Sequence, residues 1–172
     1  ERRAFLAGLA AAATLAGCGF RPALGPGGPA AALEGAVSFD PPANRDAYAL
    51  SARLEARLGR ARSPRYHLST APSVRRSGLA ITQDEETTRY NLIGTARFTL
   101  TEHATGAVVA TGEVNTFTAY SARGTTLAAS TAERDARARL MVLLADRIVA
   151  RLQLGLLLPG QTAPDAPSSE PG

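Results

Sequence analysis

Thr87-Thr88-Arg89-Tyr90-Asn91-Leu92-Ile93-Gly94-Thr95-Ala96-Arg97-Phe98-Thr99-Leu100-Thr101 decides the fold of this 172-residue chain. Successive side chains of a strand point to opposite faces. Tyr90, Leu92, Gly94, Ala96, Phe98 and Leu100 then share one face, and Arg89, Asn91, Ile93, Thr95, Arg97 and Thr99 share the other. The first set belongs on a core and the second is polar, the division expected of an antiparallel sheet covered on one side. Glu102-His103-Ala104-Thr105-Gly106 supplies a turn, and Val108 to Tyr120 returns as a second long strand, making a hairpin. In the return strand Val108, Ala110, Gly112 and Val114 continue the core row, Thr111, Glu113 and Asn115 continue the polar row, and Phe117 and Thr118 blur the pattern.

Upstream, Ala36 to Phe39 reads as a short strand ending at Pro41-Pro42. Ala47, Leu50, Leu54 and Leu58 then lie on one helical stripe, with Asn44 as the cap and Gly59 as the stop. Strand signals follow at Arg65 to Thr70 and at Leu79 to Thr82, with a bend or bulge expected at Pro72. Downstream, Ser130-Thr131-Ala132-Glu133 fits a capping box. The helix after it would bury Ala136, Leu140, Leu143, Leu144, Ile148 and Leu152 and end near Leu154-Gly155, with Glu133→Arg137 and Asp135→Arg139 pairs on its exposed side. The order predicts an α+β fold: two helices packed on one face of a mainly antiparallel sheet of about four strands.

The N-terminus speaks to location. Arg2-Arg3 precede a 14-residue apolar run, Ala4 to Gly17, which is shorter than the roughly 20 residues that span a bilayer and typical of a signal peptide. It ends in Leu15-Ala16-Gly17-Cys18, the form of a bacterial lipobox. Cys18 is the only cysteine, so an internal disulfide or a cysteine metal cluster is excluded and lipidation is the reading that remains. The expected organisation is a signal peptide over 1–17, a lipidated N-terminus and Gly/Pro-rich tether over 18–35, the α+β domain over 36–158 and a disordered Pro-rich tail over 159–172. Two or three acyl chains on Cys18 would anchor the protein to a membrane. The paired arginines fit both the general and the twin-arginine export routes.

Chemistry-bearing patterns are few. The 19 basic residues are all arginine, and the net charge of +4 is scattered with few aromatics between, which argues against a nucleic-acid surface. His67 and His103 are the only histidines, and neither has a second at ligand spacing along the chain. Asp84-Glu85-Glu86 reads as a solvated loop. No phosphate loop, nucleophile elbow or Cys/His cluster is present. The reading is of a protein that is not an enzyme and has no metal site and no cofactor apart from the covalent lipid. The polar sheet face, with Arg89, Arg97, Glu113, Asn115 and many threonines, reads as a solvent-facing side or as a docking face fit for the polar lumen of a large barrel.

Cys18-Gly19-Phe20-Arg21-Pro22, the short strand and helix, Thr88-Arg89-Tyr90-Asn91-Leu92 and the long last helix with its Pro-rich tail together resemble the lipopolysaccharide-assembly lipoprotein family LptE, in its alphaproteobacterial form. The resemblance implies an outer-membrane lipoprotein on the periplasmic side, partnered with the barrel LptD as its plug and assembly factor in lipopolysaccharide export. Family members bind lipopolysaccharide through basic residues before the long third strand and near the start of the last helix. Here those places read Thr82-Gln83-Asp84-Glu85-Glu86 and Leu127-Ala128-Ala129-Ser130, without a basic group. Contact with lipopolysaccharide or the barrel would therefore fall to Arg75, Arg76, Arg89 or Arg97. Gly19 is not the aspartate that holds lipoproteins at the inner membrane, which favours the outer membrane. The alternative is a free periplasmic lipoprotein that binds an amphiphile, which requires an apolar cavity between helices and sheet. A hydrolase would require perturbed acids or a Ser–His contact.

Overall fold

The computed structural model describes residues 31–81, 87–122 and 124–157. The element order is β1 (Val37–Phe39), α1 (Arg45–Leu58), β2 (Tyr66–Ile81), β3 (Thr87–Glu102), β4 (Val108–Ser121) and α2 (Thr126–Leu157). The sheet order is β1-β2-β3-β4. β1 runs parallel to β2, while β2, β3 and β4 form an antiparallel meander, so the α+β expectation holds with a mixed sheet. Among the described residues no helix is long and apolar enough to cross a membrane.

Helix α1 begins as its sequence requires: the Asn44 side chain accepts from the Ala47 amide at 2.9 Å. It stops at Gly59, whose φ of 75° lies in the left-handed region that glycine adopts freely and whose amide reaches Glu55 O. Leu50, Leu54 and Leu58 are buried, and Ala47 is only half-buried. The core reaches further toward the N-terminus than the expected boundary at residue 36, because Leu33 is fully buried and the Gly35 amide bonds Leu58 O.

Several local expectations are corrected. β2 is one 16-residue strand rather than two, and Pro72 pairs with Ala96 without a break in register. Among the described residues β1 pairs only with Tyr66, His67 and Leu68, and no other strand pairs with that side of β2 beyond Leu68, where a residue without an N–H is tolerated. The irregularity lies instead at Gly78/Ala80. A second shift between Leu100 and Thr101 pairs Thr101 with Val108, which throws Val108 out of the core row to 61% exposure. The capping box does not form. Thr125 caps α2 one turn earlier, accepting from the Ala128 amide, and Ser130 lies inside the helix with its hydroxyl on Leu127 O. α2 also continues past Gly155 to Leu157. Leu143 is 42% exposed, while Met141, Ala145 and Val149 join the buried stripe.

Both helices cover the face carrying Leu92, Ala96, Phe98 and Leu100. Their separation from the sheet is set at Gly94, where an added Cβ would lie 2.9 Å from Leu140 Cγ and Cδ2 and 3.0 Å from Leu144 Cδ1. On β4, Gly112 gives the same relief to the ring of Phe98 on β3. The helices are joined by arginine–aspartate links: Arg137 Nη1 to Asp46 Oδ2 at 3.2 Å, a two-point bridge from Arg53 to Asp146 at 3.0 Å, and Arg57 Nε to Asp146 Oδ1 at 3.7 Å. The order of these partners shows that α1 and α2 run in the same direction.

A polar clasp closes the far end of the layer. Tyr90 and Tyr120 stack at 5.4 Å, and the Arg76 guanidinium lies 4.9 Å over the Tyr90 ring. Tyr120 OH donates to Glu133 Oε2 at 3.0 Å, and Glu133 also accepts from Arg137 Nε at 3.2 Å. The Glu133–Arg137 pair thus forms as its spacing requires, but it faces α1 and the sheet rather than solvent. Burial pushes the Glu133 carboxyl up, yet the Tyr120 and Arg137 hydrogen bonds and the Arg137 and Arg76 charges outweigh it and hold the group below the usual carboxylate range.

Two predictions follow from this layer. Gly94→Ala should cost about 1–3 kcal/mol by overpacking, read as a lower urea midpoint. Leu140→Ala in the same chain should remove part of that cost, so that the two effects fail to add; strict additivity would place the constraint elsewhere. Because the folded carboxyl of Glu133 titrates low, its contribution is present above the unfolded value of about 4.3 and is lost as pH falls through the lower folded value. Glu133→Gln should therefore destabilise by about 1–3 kcal/mol at pH 7, with the gap to the unsubstituted protein narrowing below about pH 4. A gap independent of pH in urea unfolding would show that the carboxylate charge is not what holds the clasp.

Candidate functional site: the uncovered face of the sheet

With both helices on one side, the opposite face of β2, β3 and β4 is bare among the described residues. Odd-numbered residues occupy it over positions 67–77, 89–101 and 111–121 of the three strands, as the strand alternation requires between bulges. In register, Arg75, Ile93 and Phe117 form one row across the face, Ser73, Thr95 and Asn115 the next, and Ala71, Arg97 and Glu113 the one beyond. Phe117, which blurred the sequence pattern, lies here at 65% exposure. Thr118 turns to the helices, where its hydroxyl bonds Ala136 O. The same alternation places Arg89 at the far end of the face, opposite Ser121.

The four arginines singled out from the sequence therefore do not act together. Arg75, Arg89 and Arg97 share the bare face and are exposed, with four residues of strand separating the rows of Arg75 and Arg97. Arg97 has a cross-strand partner, Glu113 Oε2 at 3.7 Å. Arg76 is on the helix side, 3.5 Å from Glu133 Oε2. Its pKa is raised, first by its hydrogen bond to Tyr120 and then by the Tyr120 and Glu133 charges. Burial pushes the Tyr120 phenol up, against the Arg76 bond that draws it down. Adjacent strand residues point apart, so the Arg75-Arg76 pair is split between the two faces. Cys18, the Asp84–Glu86 run and the Pro-rich tail lie outside the described residues.

Sequence reasoning missed a second cluster on the same face, at the β1 end. Ser38 Oγ lies 3.1 Å from His67 Nδ1, 3.0 Å from His103 Nε2 and 3.1 Å from Tyr66 O. The other nitrogen of His67, Nε2, is 2.8 Å from Asp40 Oδ1. Ser69 Oγ donates to Asp40 Oδ2 at 2.6 Å. The Ser69 hydrogen bond is the largest of the effects that hold the Asp40 carboxyl below its usual value, and His67 and the Thr70 backbone add to it against burial. Asp40 is therefore an acceptor, and His67 Nε2 carries a proton. The two histidine rings are 5.8 Å apart, brought together because β2 and β3 pair His67 with Thr101, two residues before His103.

This arrangement includes the Ser–His contact that a hydrolase would need. Ser38, however, sits within a regular strand whose register partner is His67, rather than on the sharp strand-to-helix turn that projects a nucleophile. Its hydroxyl proton also has a second acceptor in Tyr66 O. A cleft of about 400 Å³ runs along β1 and α1, lined in part by Phe39, Pro41, Pro42 and Tyr48. It lies between α1 and the edge strand β1, away from the seam where α2 meets Gly94 through Leu140.

Known proteins resemble this chain in pattern and in fold. The LptE family pattern, described as lipopolysaccharide-assembly, matches residues 35–152. A candidate lipoprotein from Caulobacter crescentus is 20% identical with a TM-score of 0.63, over 77% of this chain and 97% of that one. Rare lipoprotein B from Shewanella oneidensis is 17% identical with a TM-score of 0.55, over 71% and 95%. A minor lipoprotein from Acinetobacter baumannii is 15% identical with a TM-score of 0.52, over 70% and 90%. At these identities the structures bear on the fold alone. No curated protein matches the sequence. The family pattern spans β1 through most of α2, and the chain belongs to the LptE lipopolysaccharide-assembly family, a family of non-catalytic assembly lipoproteins.

Proposed function

We propose that this protein is a non-catalytic outer-membrane lipoprotein that sits on the periplasmic side, occupies the lumen of the LptD barrel and supports lipopolysaccharide export. The observation that carries the reading is the bare, polar face of a sheet in a chain of this family. Three exposed arginines, cross-strand polar rows and one exposed phenylalanine make a broad surface that the protein's own helices leave uncovered. The interior of a large membrane barrel is itself polar, so such a face can be buried there without a dry apolar seam. Membership of the family supports a lipopolysaccharide-assembly role, and a lipid on Cys18 would tether the domain to the membrane in which the barrel stands.

Arg75, Arg89 and Arg97 are the groups for barrel or lipopolysaccharide contact, because guanidinium forks pair with carboxylates and phosphates at two points. Arg76 holds the clasp and is not a docking residue. The free amphiphile-binding alternative needs an apolar cavity between helices and sheet; the seam under α2 is filled where Leu140 and Leu144 meet Gly94, and the cleft between α1 and β1 is the place left for it.

The test is an affinity purification of the natively lipidated protein from detergent-solubilised outer membranes, with the co-purifying chain identified by mass spectrometry. A stoichiometric large β-barrel is expected. Arg75→Glu with Arg89→Glu should cut its recovery several-fold while changing unfolding stability by no more than about 0.5 kcal/mol per site. Charge reversal at exposed Arg62, away from the face, should leave recovery unchanged. Recovery of the protein alone, from membranes in which LptD is intact, would move the assignment to a free lipid-binding lipoprotein.

A further inference from the structure

We infer that His67 and His103, with Ser38 between them, form a binding site for a borderline transition-metal dication such as Zn²⁺ or Cu²⁺. The cluster is independent of the barrel reading. Two imidazole nitrogens, His67 Nδ1 and His103 Nε2, converge from different elements on one point, the Ser38 hydroxyl, at 3.1 and 3.0 Å. Imidazole suits zinc, copper and nickel, whereas magnesium and calcium demand oxygen ligands.

The outer contacts are those a ligating histidine uses. Such a histidine usually gives its other N–H to a carboxylate, which fixes its tautomer and ring orientation. Here His67 gives Nε2–H to Asp40 at 2.8 Å, so that Nδ1 presents its lone pair toward Ser38. Asp40 is in turn held by the Ser69 hydroxyl at 2.6 Å. His67 is thus half-buried and braced on a strand, while His103 stands in the exposed β3–β4 turn.

Metal–nitrogen bonds of about 2.0–2.1 Å hold two ligating nitrogens within about 4 Å of each other. The ring centroids, which lie behind those nitrogens, stand 5.8 Å apart and tilted by 60°, a spacing that two imidazoles sharing one ion can keep. Ser38 Oγ, within reach of both nitrogens, is then a further ligand or gives way to water. Among the described residues no three His, Cys, Asp or Glu side chains are grouped for a metal. The site is therefore a two-imidazole chelate completed by oxygen, weaker than a closed structural zinc centre. Its three contributors come from β1, β2 and the β3–β4 turn, so a bound ion would tie the sheet's short edge strand to its central strands.

The chain has only two histidines, so the experiment reads the site without ambiguity. The untagged full chain would be titrated with ZnCl₂ and with CuCl₂ near pH 7.5, following the histidine ring signals by NMR for zinc and nitrogen superhyperfine structure by electron paramagnetic resonance for copper. Zinc at one equivalent should shift both histidine ring systems together and raise the melting temperature, and copper should show two coordinated nitrogens. Magnesium should do neither. His103→Gln, at an exposed turn, and His67→Gln should each weaken binding at least tenfold, with far-UV circular dichroism confirming that the metal-free variants are folded. Unmoved ring signals, or zinc affinity retained in both variants because the ion sits on Cys18 or on carboxylates, would overturn the site. The ring signals of the unsubstituted protein decide the matter even if a variant fails to fold.

Discussion

The contact of Leu140 and Leu144 with the bare backbone of Gly94 fixes how close the helix layer comes to the sheet. Everything else in the core is measured from that distance. At this spacing Leu92, Ala96 and Leu100 on β3 meet the buried stripe of α2, and α1 can lie alongside α2 with its own leucines in the same layer. Arginine–aspartate links at Asp46 and Asp146 hold the helices side by side, and each joins residues distant in the chain. They supply direction and register more than stability, since half-exposed ion pairs contribute little each. The Arg76, Tyr90, Tyr120, Glu133 and Arg137 clasp then closes the end at which the apolar stripe runs out.

A single helix layer has a consequence for function. Two helices cover one face of a four-stranded sheet and nothing in the described chain covers the other, so β2, β3 and β4 present a broad polar surface. Both edges are also unequal: β1 is three residues long, while β4 runs for 14. Arg147 on α2 reaches over to Asn115 O on β4 at 2.7 Å, covering one backbone acceptor on that long strand. In a lipopolysaccharide-assembly lipoprotein, a bare face of this kind is better matched to a partner than to a catalytic cleft. The Ser38, His67, His103 and Asp40 cluster sits at one end of it, with Ser38 inside a regular strand rather than on a nucleophile turn.

Where the periodicity was long, it was legible. The two rows of β3 survive unchanged because a 16-residue strand with one apolar face has a single register that buries it. Asn44 and Gly59 bound α1 because capping is local chemistry. Pro72 misled, since a proline interrupts a strand only where its missing N–H is needed, and whether β2 has a neighbour there depends on the length of β1. Ser130 to Glu133 misled for a related reason: the capping pattern is present, but Thr125 captures the helix start first and the sheet recruits Glu133 through Tyr120. Val108 left the core row because of a bulge that alternation cannot report.

Alternation along the chain, by itself, determined the α+β class, the core face of the hairpin and the two amphipathic helices, because each is a repeat within one element. It did not separate Arg75 from Arg76, because only the structure shows both to lie in the one continuous strand β2. Tertiary structure alone decided what those side chains meet. The distance between Gly94 and Leu140, the capture of Arg76 by Glu133, and the meeting of His67 with His103 over Ser38 all depend on strand register and helix docking. Those are contacts between segments far apart in sequence, and their geometry is set by how the layers pack rather than by any local pattern.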